Sequence, residues 1–123
     1  MTRQQIFDYV ADRYGSVPDY PWLDNNVVFR RRDNAKWYAV ILEVGRDKLG
    51  LSGEEKTDVL NLKCDPLLIG SLRKQEGFHP AYHMNKEKWI SIRLDSGISE
   101  EEIIGLIDLS YDLTGKKLRK KRG

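Results

Sequence analysis

The sequence is poor in the residue types that metal centres and most catalytic sites require. It contains one cysteine and two histidines among 123 residues. A single cysteine, Cys64, cannot form a disulfide within the chain or a thiolate zinc cluster, and it is consistent with a reducing compartment. His79 and His83 have the spacing of a helical metal site, but Pro80 disfavours a helix there. We therefore expect no metal and no cofactor.

Long hydrophobic runs and phosphate-binding glycine patterns are also missing. The most apolar stretch, residues 39–44, includes Glu43 and falls far short of the roughly 18 apolar residues that a membrane helix needs. The first residues lack the apolar segment and cleavage site of a secretory signal, so we expect a cytoplasmic protein without a membrane partner. Neither GxGxxG nor GxxxxGK[ST] occurs, which removes support for nucleotide hydrolysis.

Catalysis has little support in the remaining reactive side chains. Cys64 falls on the same face of a predicted strand as Leu60 and Leu62, so it is expected to be a buried core thiol. An enzyme whose chemistry centres on His83 stays open as an alternative, because one histidine can act as acid or base. No partner for it is evident, and we predict that the protein is not an enzyme.

Positive charge is concentrated at the C-terminal end of a chain whose net charge is only +2. Residues 116–123 hold six of the 21 basic residues and no acidic residue, whereas the preceding part holds 15 basic and 19 acidic residues. Such a block is typical of a solvated tail, or alternatively of an arm that binds nucleic acid phosphates. We predict one domain over residues 1–115 and a basic tail over residues 116–123.

The spacing of apolar residues predicts three helices and four strands. Helices are expected at residues 2–14, 65–75 and 99–113, with Thr2, Asp65 and Ser99 as their N-caps. Strands are expected at residues 27–32, 36–44, 56–64 and 88–95, and residues 78–86 are expected to be irregular or weakly extended. The order α-β-β-β-α-β-α predicts an α+β fold, with an antiparallel sheet covered on one face by helices.

Alternation along the last two predicted strands defines a candidate binding surface. If their leucines and isoleucines face the helices, the intervening residues face the other side of the sheet. These residues are polar, cationic or aromatic: Asn61, Lys63, Trp89, Ser91 and Arg93. Such a surface suits a phosphate backbone or a stacked base. The alternative is that the loop at residues 18–22 covers Trp89 and that Lys63 and Arg93 pair with carboxylates.

Several segments resemble those of the MmcQ/YjbR family of small bacterial proteins. The resemblance is most extensive over residues 80–95 and the helix ending Leu109-Ser110-Tyr111, and segments 20–22, 36–39 and 62–66 are also similar. It covers nearly the whole chain. The resemblance implies a fold of the frataxin/CyaY type and a role in DNA binding through a double-wing arrangement. Iron binding of the frataxin type is not expected, because the first helix offers only Asp8 and Asp12.

The resemblance extends to individual positions. The matching residues are Lys63, Pro66, Pro80, His83, Asn85, Lys86, Trp89, Ser110 and Tyr111. Roles in helix capping and packing account for Pro66, Ser110 and Tyr111. The polar residues at 83, 85 and 86 are poor core residues and good donors to phosphates or bases.

We predict a non-enzymatic monomer that binds DNA without strong sequence preference. The predicted interface comprises Lys63, His83, Asn85, Lys86, Trp89, Arg93, Lys116 and Lys117. The alternative is a module that binds a protein or a small molecule through the same loop and has no affinity for nucleic acid. The sequence identifies no protein partner.

Overall fold

One five-stranded antiparallel sheet organises residues 1–115, the part of the chain that the computed structural model describes. The strands are β1 (Val27–Arg30), β2 (Trp37–Gly45), β3 (Lys56–Lys63), β4 (Phe78–Pro80) and β5 (Trp89–Arg93). They lie in the order β1-β2-β3-β5-β4, and every pairing is antiparallel. Lys116 and Lys117 of the predicted interface lie outside the described residues.

The three helices begin where the sequence predicts. They are α1 (Arg3–Tyr14), α2 (Pro66–Leu72) and α3 (Glu100–Leu113). The Thr2 hydroxyl accepts a hydrogen bond from the backbone N–H of Gln5, whose side chain accepts one from the backbone of Thr2. The side chains of Asp65 and Ser99 cap the other two helices by accepting hydrogen bonds from the backbone amides of Leu67 and Glu102. These bonds satisfy amide groups that have no partner inside a helix, so the chain has definite starting points for each.

All three helices contribute side chains to a single hydrophobic core on one face of the sheet, as predicted. The core includes Ile6 of α1, Ile69 of α2 and Ile107 of α3 together with Leu60 and Ile90 of the sheet. Burying each such side chain contributes about 1.5–3 kcal/mol. The predicted α+β fold with helices on one face is therefore confirmed.

Helices α1 and α3 lie side by side on this face. The hydroxyls of Tyr9 and Tyr14 donate hydrogen bonds to the same oxygen of Asp108, at 2.7 and 2.5 Å. The ring of Tyr14 stacks on Tyr111 with 3.7 Å between centroids, and the Arg31 guanidinium lies 3.9 Å from the centroid of Tyr111. Tyr111 is thus a packing residue, as the sequence analysis expects.

A bulge in β2 was not evident in the sequence. Phe29 pairs with Ala39, but Arg30 pairs with Trp37, which leaves Tyr38 as an extra residue. Tyr38 consequently packs in the helical core while Trp37 faces the opposite side of the sheet. On the other side of β2, the Ser110 hydroxyl of α3 bridges β2 and β3 where their pairing ends, since it donates to the Tyr38 carbonyl at 2.6 Å and accepts from the Lys63 amide at 2.9 Å.

The opposite face of the sheet is covered in part by the loop at residues 81–88. Val40 and Val59 belong to a second, smaller cluster of buried residues, against which Tyr82 of the loop packs. The Asn61 amide donates to the Tyr82 carbonyl at 2.8 Å, and the Tyr82 amide donates to the Ser91 hydroxyl at 2.9 Å. Both Asn61 and Ser91 are fully buried. The expectation that they lie on an open surface is therefore wrong, because backbone groups of the loop satisfy them.

Candidate nucleic-acid interface

Strand β5 carries predicted interface residues at both of its ends. Trp89 pairs with Lys63 at one end, and Arg93 pairs with Val59 at the other. The predicted alternation is confirmed, since the isoleucines between them belong to the helical core. The environments of the two ends, however, are different.

Arg93 is not available to a ligand. Its side chain is 7% exposed, and its guanidinium donates to Asp95 at 2.8 Å and to Glu76 at 3.3 Å. The other oxygen of Asp95 accepts hydrogen bonds from Arg46 and Thr57, both at 3.0 Å. The buried, paired state of Arg93 agrees with the alternative of pairing with carboxylates and does not favour the predicted contact with nucleic acid. We call Arg46, Glu76, Arg93 and Asp95 the paired-arginine cluster.

The ionisation of Asp95 reflects this cluster. Partial burial acts to raise the pKa of Asp95, but hydrogen bonds from Thr57 and Arg93 outweigh it, with the positive charges of Arg93 and Arg46 acting in the same direction. The net result is a pKa below the ordinary value of an aspartate. The carboxylate is therefore held in its charged form, which keeps Arg93 paired.

The opposite end of β5 borders a cleft of about 650 Å³ whose basic residues are Lys36, Lys63 and Lys88. We call it the lysine cleft. Within residues 1–115, none of the three forms an ion pair, and all six ion pairs in that range use arginine. The one carboxylate on the cleft wall, Asp65, accepts a hydrogen bond from the Leu67 amide as the cap of α2. The cleft therefore carries positive charge that side chains of the described region leave unpaired.

Backbone hydrogen bonds fix the position of the lysine cleft. The Lys63 amide donates to Ser110 at 2.9 Å, and the Cys64 amide donates to the Lys88 carbonyl at 2.9 Å. Ser110 therefore has the structural role that the sequence analysis expects. Lys36 and Lys88 are not among the predicted interface residues, although each directly precedes a tryptophan at the start of a strand. That juxtaposition was the available signal.

Gly115 also lines the lysine cleft. Lys116 and Lys117 follow it directly in the chain. The basic tail therefore follows directly in the sequence from a residue that lines this cleft.

The remaining predicted residues of the 81–88 loop have three different environments. Asn85 shapes the loop, since its side chain accepts from the Glu87 amide at 2.8 Å and its carbonyl accepts from the amides of Lys88 and Trp89. Lys86 is exposed and borders a separate depression beside Lys48 and His79. His83 faces neither the lysine cleft nor that depression. The structure thus brings together Lys63, Trp89 and two further lysines, but not the whole predicted set.

His83 lines a second groove, of about 350 Å³, on the face of the sheet opposite the helices. We call it the aromatic groove, and its lining residues are Trp22, Asp24, Asn26, Trp37, Val40, Leu42, His83 and Met84. The two indole rings meet edge to face, with centroids 5.7 Å apart and planes at 87°. Trp22 is 45% exposed. The packing of Trp22 against Trp37 was not predicted from the sequence.

Comparison with known sequences identifies the family. The sequence model of the YjbR family matches residues 11–113. The chain belongs to the YjbR family. A relative is the uncharacterized protein YyaQ of Bacillus subtilis (strain 168), which is 47% identical over 116 residues, covering 93% of this chain and 98% of YyaQ. The resemblance seen in the sequence is thereby confirmed.

Solved structures of similar proteins share the fold. A crystal structure of a Pseudomonas syringae protein is 45% identical and has a TM-score of 0.90, covering 94% of this chain and 100% of that chain. The crystal structure of protein DR2400 from Deinococcus radiodurans is 27% identical with a TM-score of 0.72, covering 95% of this chain and 81% of that chain. The sheet and helices described above are therefore the architecture of YjbR-type proteins.

Two kinds of feature are not found in the described part of the chain. No helix within residues 1–115 is long and apolar enough to cross a membrane. The same residues contain no group of three or more histidine, cysteine, aspartate or glutamate side chains arranged to hold a metal ion.

Proposed function

We propose that the protein binds DNA by placing phosphate groups in the lysine cleft, with the basic tail adding further contacts. The observation that carries the proposal is the presence of three lysines around one cleft without ion-pair partners in residues 1–115. A lysine ammonium presents three donors and binds phosphate as a point charge. Binding of this kind is driven by release of counterions and does not depend on base sequence.

Local charge matters here because the domain as a whole does not attract a polyanion. Residues preceding the tail hold 15 basic and 19 acidic residues. A cleft in which one sign of charge predominates, here three lysines against one aspartate, concentrates the local field even when the net charge is small or opposite. Trp89, which is half-buried beside Lys63, adds an aromatic surface next to the phosphate-binding groups.

The proposal is for binding in the cytoplasm without catalysis. Cys64 is 2% exposed, and burial raises the pKa of its thiol, which makes it a poor nucleophile. His79 is removed from the lysine cleft, and burial lowers its pKa. These observations support a binding role over chemistry at either residue.

The test is a titration of labelled duplex DNA, followed by fluorescence anisotropy at several salt concentrations. The variant carries Lys36→Gln, Lys63→Gln and Lys88→Gln. Each lost phosphate contact lowers the slope of log affinity against log salt by about 0.9. We expect a slope lower by up to about 3 and a much weaker affinity at low salt.

A matched control removes the same charge elsewhere. Lys48, Lys56 and Lys74 are exposed and lie outside the lysine cleft, so replacing all three by glutamine is expected to have a smaller effect. An equal loss in both triple variants would show that binding is a general charge effect and not a property of the cleft. Absence of DNA binding by the parent protein at low salt would refute the proposal and favour the protein or small-molecule module.

The tail is tested separately with Lys116→Gln and Lys117→Gln. Both substitutions are expected to weaken DNA binding and flatten its salt dependence further. The melting temperature of this variant is expected to equal that of the parent. A loss of stability without a loss of affinity would show that these lysines have a structural role instead.

A further inference from the structure

We infer that the aromatic groove receives an unpaired nucleobase, so that the protein prefers single-stranded DNA to duplex DNA. The inference rests on the proposed binding of DNA in the lysine cleft and extends it to a neighbouring site. Four observations support it: the shape of the groove, the acceptor at its rim, the adjacency in the chain of residues that line the groove and the lysine cleft, and the backbone conformation beside the groove.

The shape of the groove suits one flat ring. Val40 and Leu42 of β2 are buried and form an apolar floor, and Trp22 and Trp37 form a corner of two perpendicular indoles. Its volume of about 350 Å³ is at the lower end of the range of small-molecule sites. Stacking of a base on an exposed aromatic ring is a general way of binding single strands.

The rim of the groove provides a fixed hydrogen-bond acceptor. The carboxylate of Asp24 accepts from the backbone amide of Asn26 at 2.9 Å and from its side-chain amide at 3.3 Å. Asn26 is itself held, since its side-chain oxygen accepts from the Glu43 amide at 2.8 Å. An ionised carboxylate has about four acceptor positions, so Asp24 keeps capacity for a ligand.

This acceptor selects among bases. Carboxylates accept hydrogen bonds from the amino group of cytosine, and thymine has no amino group. The same negative charge repels a phosphate. Asp24 therefore favours an amino-bearing base in the groove and keeps the phosphate backbone outside it, on the side of the lysines.

Consecutive residues of the chain line the lysine cleft and the groove. Lys36 lines the cleft, and Trp37 lines the groove. A strand whose phosphates lie in the cleft can therefore turn one base towards the indoles. In duplex DNA the same base is paired and stacked, and extruding it costs a few kcal/mol. The arrangement thus favours a strand that is already unpaired.

One residue that lines the groove and one next to a lining residue have an uncommon backbone conformation. Leu23, next to Trp22, has φ of 60°, and His83 has φ of 62°. Non-glycine residues in this left-handed region cost of order 1–3 kcal/mol and cluster at ligand sites. Leu23 is also 93% exposed, so packing of its own side chain does not explain its conformation.

The test compares the full chain on three probes of equal length: oligo(dC), oligo(dT) and a mixed-sequence duplex. We expect oligo(dC) to bind about tenfold more tightly than the duplex, and oligo(dT) to bind between the two. The Trp22→Ala variant is expected to bind oligo(dC) no better than the duplex, with duplex affinity unchanged. Tyr20→Ala is the matched control, because Tyr20 is 42% exposed in the same loop but does not line the groove.

A second variant tests the rim without removing an aromatic side chain. Asp24→Asn keeps the size of the side chain and removes its charge, so the preference for oligo(dC) over oligo(dT) is expected to fall towards one. Circular dichroism melts show whether each variant is folded. Because Asp24→Asn is a conservative surface change, the inference can still be tested if Trp22→Ala does not fold.

The outcomes separate this inference from the proposed function. Equal affinity for oligo(dC) and duplex, unaltered by Trp22→Ala, would overturn the inference and leave the proposed function intact. A folded Asp24→Asn variant with an unchanged base preference would overturn the role of the rim. If neither single strands nor duplex bind at low salt, the proposed function is wrong and this inference with it.

Discussion

The two ends of β5 have the same kind of charge in the sequence and opposite roles in the structure. At one end, Arg93 is buried between the carboxylates of Glu76 and Asp95. At the other end, Lys63 and Lys88 line an open cleft and form no ion pair within the described range. The difference teaches that a basic residue in a sequence pattern is available to bind a ligand only where no nearby carboxylate pairs with it in the folded structure.

The chemistry of the two side chains explains this division. The guanidinium of arginine is planar and has five donors, so it can bind two carboxylates at once, as Arg93 does. The lysine ammonium is compact, strongly hydrated and flexible. Arginines therefore stabilise the domain in residues 1–115, and the cleft lysines remain available to a ligand.

The largest contrast between the two ends is expected from glycine substitutions. Gly77 accepts a hydrogen bond from the Arg93 amide at 2.8 Å and has φ of +94°, and a Cβ there would lie 2.6 Å from the Cβ of Ser96. Gly77→Ala is expected to lower the free energy of unfolding by about 3 kcal/mol, because strain and overpacking add. The measurement is urea denaturation.

The matched glycine is Gly70 of α2, the helix whose first residue, Pro66, lines the lysine cleft. Apart from its chain neighbours and the backbone of its own helix, a Cβ at Gly70 would meet no atom of residues 1–115 within 4 Å. Gly70→Ala is therefore expected to stabilise the protein by about 0.5–1 kcal/mol. If both substitutions changed the free energy of unfolding in the same direction, the expected contrast between Gly77 and Gly70 would be contradicted.

The next largest effect concerns the charged side chains themselves. Arg93→Met leaves Glu76 and Asp95 without their shared partner, and we expect it to lower the free energy of unfolding by about 2 kcal/mol. This loss is smaller than that for a fully buried ion pair, because both carboxylates are exposed to solvent. Lys63→Met is expected to change stability by less than about 0.5 kcal/mol. Both free energies are measured by chemical denaturation, and equal losses would mean that Lys63 is structural.

A smaller loss is expected from Ser110→Ala. This change removes the partner of the Tyr38 carbonyl and of the Lys63 amide, and each buried polar group left unsatisfied costs about 1–3 kcal/mol in full. Partial relaxation reduces the expected total to about 1.5 kcal/mol. Faster hydrogen exchange at the Lys63 amide is the specific readout. The exposed Ser71→Ala is the control, and equal exchange in both variants would contradict the role of Ser110.

The smallest expected effect is a pH dependence of stability that arises from His79, near the end of β5 that carries Arg93. Burial lowers the pKa of His79 below its ordinary 6.5, the positive charge of Arg93 acts in the same direction, and Glu76 opposes them. The unfolded chain therefore binds a proton at higher pH than the folded protein does, so stability falls as pH falls below about 6.5. The His79→Gln variant is expected to lose less stability between pH 7.5 and 5.5. Parallel curves for the two proteins would contradict this assignment.

Local patterns were sufficient to predict the α-helices, their caps and the alternation of faces along β3 and β5. Thr2, Asp65 and Ser99 act on amides two or three residues away, so short segments of sequence specify them. Strand β4 was missed because three residues ending in proline become a strand only by pairing with β5 at the edge of the sheet. Its pairing is a tertiary effect.

The candidate site was less predictable for the same reason. The burial of Arg93 depends on Glu76, which precedes β4, and the lysine cleft depends on Lys36, which is distant in sequence from Lys63 and Lys88. The bulge at Tyr38 determines that Trp37 faces the aromatic groove, and no local pattern marked it. Contacts between distant segments, rather than composition, therefore define the site.

The attachment of the C-terminal end of α3 has a consequence for avidity. The Asn34 side chain donates to the Thr114 carbonyl at 2.9 Å, and the Thr114 hydroxyl donates back to Ser110 at 3.0 Å, so the backbone is anchored just before Gly115 at the cleft wall. If the cleft holds a polyanion as proposed, contacts from the basic segment that follows in the sequence become intramolecular, and linked contacts of this kind raise the effective concentration of the second group. The proposed binding would then have the avidity of a bivalent binder.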